Sequence, residues 1–278
     1  MSNIQWTKGA KYWDHAWNPI VGCRKISEGC EHCYAERVTG KFGINGGDFT
    51  PQPMAAKNPP TKGVVFAGNM TDLFGEWNTD YDIRYWLGIL STSAINLVLT
   101  KRAERLSDIF LTYSELEDGD WIHYGVTAEN QARADERIPH LLCLKGVNRW
   151  LSLEPLLGPI DLSEYIAMPP YYPVRCEYCG WSGSSENCPG EDDYYTCPKC
   201  YCGEPGEINQ LINWVVVGAE SGPDARECKI EWIESIVEQC RAAGVPVFVK
   251  QIHVGGKLVT DINKFPKHLQ IRLVPWER

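Results

Sequence analysis

Residues 121–155 read WIHYGVTAENQARADERIPHLLCLKGVNRWLSLEP. The opening WIHYGVTAE (121–129) and the closing VNRWLSLEP (147–155) are short, β-rich apolar runs. Between them, 130–144 has helical period. Strand, crossover helix and strand in this order predict two parallel neighbours in one sheet. The rhythm continues on both sides. Upstream lie AWNPIVGC (16–23), GVVFAGN (63–69) and INLVLTK (95–101); downstream lie WVVVGAE (214–220) and VPVFVKQ (245–251). Helical stretches at 31–40, 80–93, 102–116 and 231–243 separate them. In the last, Trp232, Ile233, Ile236, Val237 and Cys240 share a face, and Gly244 supplies the stop. Seven strands with crossover helices predict an α/β fold, a TIM-like full or partial (β/α) barrel with parallel strands. A doubly wound sheet is the competing arrangement, because one sequence does not write out strand order.

The rhythm breaks at 168–207, which opens on MPPYYP, holds six cysteines and is rich in Gly, Pro and acidic residues. We read 1–167 and 208–278 as the barrel and 168–207 as an insertion. Cys176-x2-Cys179-x17-Cys197-x2-Cys200 matches the two CxxC knuckles of a zinc ribbon. Four thiolates make a closed, structural zinc site; a second iron–sulfur cluster is the rival. Cys188 and Cys202 are left over as substitutes for one ligand, whereas Cys143, Cys228 and Cys240 read as ordinary helix or loop cysteines. Trp181, Tyr194, Tyr195 and Tyr201 offer rings for stacking single-stranded bases, but the acidic EDDYY argues against gripping a phosphate backbone.

The chain has 278 residues, 44% of them hydrophobic, enough for a large core. A net charge of −9 argues against a broad basic face for duplex nucleic acid. The start MSNIQWTKGA has neither the basic nor the apolar region of a secretory signal. No apolar run reaches the roughly 18 residues of a membrane span. A cytoplasmic location with no membrane partner is the expectation. Twelve cysteines in that setting point to metal rather than disulfides.

Each strand run ends in polar or reactive groups. In order these are Cys23; Asn69, Thr71 and Asp72; Thr100, Lys101 and Arg102; Thr127, Glu129 and Asn130; Ser152 and Glu154; Glu220 and Ser221; Lys250 and Gln251. Parallel α/β folds bind ligands at the carboxyl ends of their strands, so these ends predict one crowded site. At any single end the alternative is plain: an apolar run stops where solvent begins. Glu154 follows a buried run and needs a cation such as Lys101, Arg102 or Lys250.

One of these ends carries more. NPIVGCRKISEGCEHCYAER (18–37) contains Cys23-x6-Cys30-x2-Cys33 with no fourth cysteine close behind. A helix beginning near Tyr34 would place Cys30 and Cys33 at its N-terminus, which favours thiolate. Three thiolates can hold a 4Fe–4S cluster and leave one iron open, where electron-transfer clusters use four. A zinc site completed by His32 or His15, a redox pair at Cys30 and Cys33, and simple buried cysteines are the alternatives.

The stretch WNPIVGCRKISEGCEHCYAER (17–37) resembles the cluster-binding loop of radical S-adenosylmethionine enzymes, most of all the spore photoproduct lyase type. Their usual pattern is Cx3Cx2C; here the first gap is six. Most of residues 3–255, outside the cysteine-rich insertion, is also similar to a phage-associated three-cysteine-motif family without an assigned function. That likeness runs through GNMTDLF (68–74), LTKRAERL (99–106), GVTAENQARADERIPHL (125–141), LSLEPLLGPIDL (151–162), VVVGAESGPDAR (215–226) and VPVFVKQ.

The radical likeness implies roles. Cys23, Cys30 and Cys33 would ligate the cluster, with S-adenosylmethionine on the open iron. Tyr34 would lie near the adenine, and Gly68, Asn69, Thr71 and Asp72 near the methionine amino group. Lys101 or Arg102 would pair with its carboxylate. Lys101, Glu129, Glu154 and Lys250 form the candidate catalytic set. A 5′-deoxyadenosyl radical would abstract hydrogen from an unidentified substrate, by analogy a nucleobase or nucleotide, with flavodoxin or ferredoxin as electron donor. Phage kinship would put the protein in a host cytoplasm. Two other classes remain. One is a non-radical hydrolase or transferase using Glu129, Glu154, Glu220 and Lys250, with zinc-only cysteines. The other is a metal-scaffolded binding protein.

Overall fold

The computed structural model describes residues 12–54, 58–113, 121–144, 146–166, 173–176, 178–184, 187–191, 194–201, 206–207 and 212–276. Its elements begin with β1 (His15–Trp17), β2 (Ile20–Val21), α1 (Tyr34–Phe42), β3 (Gln52–Pro53), β4 (Val64–Ala67) and α2 (Asp80–Gly88). There follow β5 (Ile95–Thr100), α3 (Ala103–Thr112), β6 (Ile122–Thr127), α4 (Gln131–Leu142), β7 (Asn148–Leu153) and α5 (Ser163–Ile166). The cysteine-rich stretch contributes β8 (Pro173–Arg175), β9 (Ser182–Ser184), β10 (Gly190–Glu191), β11 (Tyr194–Tyr195) and β12 (Gly206–Glu207). The chain closes with β13 (Trp214–Gly218), α6 (Ile230–Ala242), β14 (Val247–Val254) and β15 (Lys257–Val259).

The main sheet runs β1-β4-β5-β6-β7-β13-β14-β15. Its first seven strands are parallel and follow chain order. A doubly wound sheet would reverse direction partway, so the winding is that of a barrel. The order ends at β1 and β15 without joining them, which makes the barrel partial. The antiparallel hairpin β14–β15 turns on Gly255 and Gly256, at φ of 56° and 73°.

Inward and outward positions alternate along each strand. Outward residues such as Val65, Val98, Val126, Leu151, Val215 and Val249 pack under the helices in a continuous core. Inward residues Val64, Phe66, Leu97, Trp150, Trp214, Val216 and Phe248 form a second core around Tyr12. The Tyr12 ring lies 5.2 to 6.4 Å from rings on β4, β7, β13 and β14 at once. Strands about 4.8 Å apart could not bring those four together in a flat sheet. Gly125 makes room for this layer, since a Cβ there would lie 2.5 Å from the Trp150 ring.

Local chemistry explains the helix starts. Thr79 and Asp82 form a reciprocal capping box at α2, and the Asn130 side chain accepts from the Arg133 amide at α4. The run 16–23 departs from the expectation of one strand. It breaks at Asn18-Pro19, where proline has no amide to donate. β2 then leaves the sheet and pairs antiparallel with β3, so Cys23 follows a side hairpin rather than the first barrel strand. α2 and α3 end earlier than their helical period suggested, at Gly88 and Thr112. β8 to β12 pair only with one another among the described residues, as β12-β8-β9 and β10-β11. No helix among the described residues is long and apolar enough to cross a membrane.

Candidate functional site

A cavity of about 450 Å³ opens at the carboxyl ends of the barrel strands. Tyr12, Trp13, Phe66 and Leu99 supply its apolar floor. Cys23, Cys30 and Cys33 line it together with Tyr34, Gly68, Asn69, Thr71, Asp72, Lys101, Arg102, Glu154 and Lys250. The cavity therefore gathers residues spread across the whole chain, including many but not all of the strand-end residues.

The three-cysteine loop is pinned on several sides. Gly22 donates to Met70 O at 3.0 Å, and Cys23 donates through its amide to Phe49 O at 3.1 Å. Thr71 Oγ1 donates to Gly22 O at 2.7 Å. Gly22 stands at φ 107°, and a Cβ there would lie 2.3 Å from Thr50 O, so only glycine fits. Cys33 is the residue before α1, as the sequence suggested. Burial pushes its thiol up, and the nearby Glu36 and Ala35 amides only partly offset this. Burial pushes Cys23 up to about 12; Asp72, Cys33 and Cys30 add to the rise and Arg102 opposes it. Burial thus works against a thiolate at Cys23 and at Cys33. A cationic metal centre is what would reverse this, since it favours the charged sulfurs. Neither histidine is drawn into a ligand group with these cysteines among the described residues. His32 Nδ1 meets Glu220 at 3.1 Å, and His15 is exposed on β1.

The segment after β4 is locked against this loop. Gly68, at φ 80°, donates to Trp17 O at 2.8 Å. Asn69 accepts from Asn18 at its side chain, at 2.7 Å, and from the Tyr34 hydroxyl at its carbonyl. Asp72 is buried and saturated. It accepts from Phe74 N, Thr100 Oγ1, Lys101 N and Arg102 Nη1 at 2.7 to 3.1 Å. Arg102 also donates to Glu76 at 2.8 Å and lies over Trp77. These two expected cofactor contacts are therefore structural partners of each other at the cavity wall.

The candidate catalytic residues divide. Glu154 and Lys250 pair at 3.1 Å inside the cavity, with Lys250 over the Tyr12 ring. This is the partner that the position of Glu154 required. Lys101 lines the cavity too, but its ammonium is spent on Glu129 at 2.5 Å. Glu129 departs from expectation: its side chain is 0% exposed. It cannot touch a ligand in the cavity. Glu220 is likewise engaged, by Arg226 and His32, which together hold its carboxyl below the usual range against the opposing effect of burial. Arg226 pairs with Glu220 at 2.5 Å.

In the insertion, Cys176, Cys179, Cys197 and Cys200 bring their sulfurs within 4.8 Å of one another. Four such thiols can bind a metal such as zinc or an iron–sulfur cluster. Burial opposes ionisation at Cys197, but the Cys200 and Lys199 amides and the neighbouring sulfurs bring its thiol down to about 7. Cys188 is buried nearby but outside this group, and Cys202 lies outside the described residues. Trp181 is half-buried and Tyr201 is exposed.

A family model described as a protein of unknown function (DUF5131) matches residues 1–272. The chain belongs to that family. No curated protein and no solved structure matches it. In this family member, sequence reasoning missed Ser27, Gly29, Arg137 and Arg226, which hold the loop or its anchors. Arg137 was hidden because a charged residue on a helical pattern reads as solvated, whereas it is 1% exposed. Nothing in a single sequence marks Ser27 or Gly29, because their partner Glu129 lies about a hundred residues away.

Proposed function

We propose that the protein is a radical S-adenosylmethionine-type enzyme. The observation that carries this reading is the set of three half-buried cysteines, with no fourth ligand drawn in among the described residues, lining the same cavity as the segment after β4. Cys23, Cys30 and Cys33 would hold a 4Fe–4S cluster. Two features favour a cluster over a single zinc ion. Neither His32 nor His15 joins the three cysteines, and their sulfurs are not drawn within 4.8 Å of one another, as the insertion's four are. When bound, the cluster would supply the electron that splits S-adenosylmethionine into a carbon radical.

The chain's own residues have separate tasks. Tyr34, Gly68, Asn69 and Thr71 would border the cofactor, with Asp72 and Arg102 fixing that wall. Lys101 would present its stem while neutralising Glu129. Lys250 and Glu154, above the aromatic floor, would orient the substrate, which we take to be a nucleobase or nucleotide. The apolar floor would keep water from a reactive intermediate. A flavodoxin or ferredoxin would donate the electron, in a cytoplasm. A carboxylate-based hydrolase is less favoured, because Glu129 and Glu220 are both committed to cations.

The insertion would hold zinc. Tetrahedral Zn–S bonds of about 2.3 Å place sulfurs roughly 3.8 Å apart. The pairs Cys176–Cys200 and Cys179–Cys197 lie at 3.5 and 3.7 Å. A four-iron cluster would spread them across its own width.

The test is anaerobic purification, reconstitution with iron and sulfide, and EPR with and without S-adenosylmethionine. The expected result is about four irons and one zinc per chain, with a signal perturbed by the cofactor. Zinc in both sites and no colour would remove the radical reading.

A further inference from the structure

Glu129 follows β6 and its carboxylate does not reach the cavity, so its burial needs another purpose. A buried anion costs several kcal/mol unless it is fully compensated. Here Oε1 accepts from Lys101 Nζ at 2.5 Å, and Oε2 from Arg137 Nη1 at 2.9 Å. Arg137 is fixed in turn by Thr127 O at 2.7 Å. The third partner comes from the cysteine loop: Ser27 Oγ donates to Oε1 at 2.8 Å. The same hydroxyl lies 3.6 Å from Cys30 Sγ. Two residues on, Gly29 packs so closely that a Cβ would fall 2.2 Å from Oε1. The carboxylate thus touches the stretch between Cys23 and Cys30 by hydrogen bond and by direct packing.

Other clamps act beside it. Glu28 reaches Asn130 at 2.5 Å and Arg133 at 3.1 Å. Glu31 reaches Arg226 at 3.0 Å. The long first gap of the motif, six residues rather than three, is therefore filled by a segment tied to the end of β6 and the start of α4, and Glu31 just beyond it is tied to the loop between β13 and α6.

We propose that Glu129 is a positioning residue that seats the three-cysteine loop in its ligating shape before any metal arrives. Its meaning for catalysis rests on the cluster reading above; the seating itself does not.

Replacing Glu129 would strand Lys101 and Arg137, so the informative variants lie on the loop. Ser27→Ala removes the hydrogen bond, Ser27→Thr keeps a hydroxyl, and Gly29→Ala wedges the loop away from the carboxylate. The full-length protein, prepared without iron, is compared by hydrogen exchange at residues 24–33 and by alkylation rates of Cys30 and Cys33. Loss of a hydrogen bond to a charged group predicts about tenfold or faster exchange and alkylation in Ser27→Ala and Gly29→Ala. Ser27→Thr should stay near wild type, and the amides of β5 to β7 should not change. Rates within about twofold of wild type in both variants would overturn the proposal on that same scale. So would loosening of the sheet along with the loop, because the carboxylate would then serve the barrel. Iron loading separates the two readings. Wild type that takes no iron while Ser27→Ala loosens leaves the anchor standing and the cluster lost. Wild type that loads iron while the variants stay rigid gives the reverse.

Discussion

Asp72 and Glu129 are both carboxylates at strand ends, and both look like ligand contacts in the sequence. The structure gives each a full set of internal donors instead. Asp72 accepts four hydrogen bonds, one of them from the guanidinium of Arg102. Asp72→Ala would leave a partly buried cation and a hydroxyl without their acceptor. A loss of about 3 to 5 kcal/mol in urea unfolding is expected. Lys250 and Glu154 are different, because their pair faces the cavity. On the radical S-adenosylmethionine proposal, Lys250→Ala should abolish turnover while leaving iron content and cofactor binding near wild type. On the same proposal, Cys23→Ala, Cys30→Ala or Cys33→Ala should instead lose the cluster and its visible absorption. A variant of Lys250 that also failed to load iron would assign that lysine to folding rather than to substrate.

The four-cysteine insertion is an element that its own strands cannot stabilise. β8 to β12 are two or three residues each, and a short two-stranded ribbon is at best marginal in water. Metal binding is then folding free energy for this element. With zinc there as proposed, Cys197→Ala or prolonged chelation should release about one zinc per chain and expose 168–207 to proteolysis. The barrel should keep its melting temperature, since these strands share no ladder with the main sheet. Cys188→Ala should retain the metal, because that thiol lies outside the four-sulfur group.

Acid sensitivity belongs to the whole molecule. Glu28 is held down to about 2 by its own amide first, then by Arg133 and Asn130. Burial would raise Glu129, but Lys101 and Arg137 outweigh it and lower the carboxyl; Arg226 and His32 do the same for Glu220. A carboxyl whose folded value is depressed adds stability above its unfolded value and loses it as pH falls through the folded one. Stability should therefore hold near neutrality and decline from about pH 4.5 downward, still falling near pH 2. Unfolding midpoints between pH 7 and 2.5 check this. A flat profile across that range would mean that the clamps around the cysteine loop contribute nothing. The inner core is the second whole-molecule device. Trp150→Ala should cost about 3 to 5 kcal/mol, because the cavity left inside a curved sheet has little room to collapse.

Strand and helix alternation, the insertion and both cysteine groupings were legible from residue order alone. Each rests on local periodicity or on ligands a few positions apart. The departure of β2 from the sheet was foreshadowed only by Pro19, and the hairpin with β15 by two glycines. Apart from the pairing of Glu154 with a strand-end lysine, charge partners were not legible. Glu129 meets Ser27 and Glu220 meets His32 because the cysteine loop lies across the strand ends, while Arg137 turns inward from α4. The sequence by itself determined an α/β chain with a three-cysteine loop and a four-cysteine insertion. Only the tertiary structure decided which strand-end carboxylates face a ligand and which are buried as anchors. Burial and pairing depend on contacts far apart in the chain, and these set whether a charge is available for chemistry.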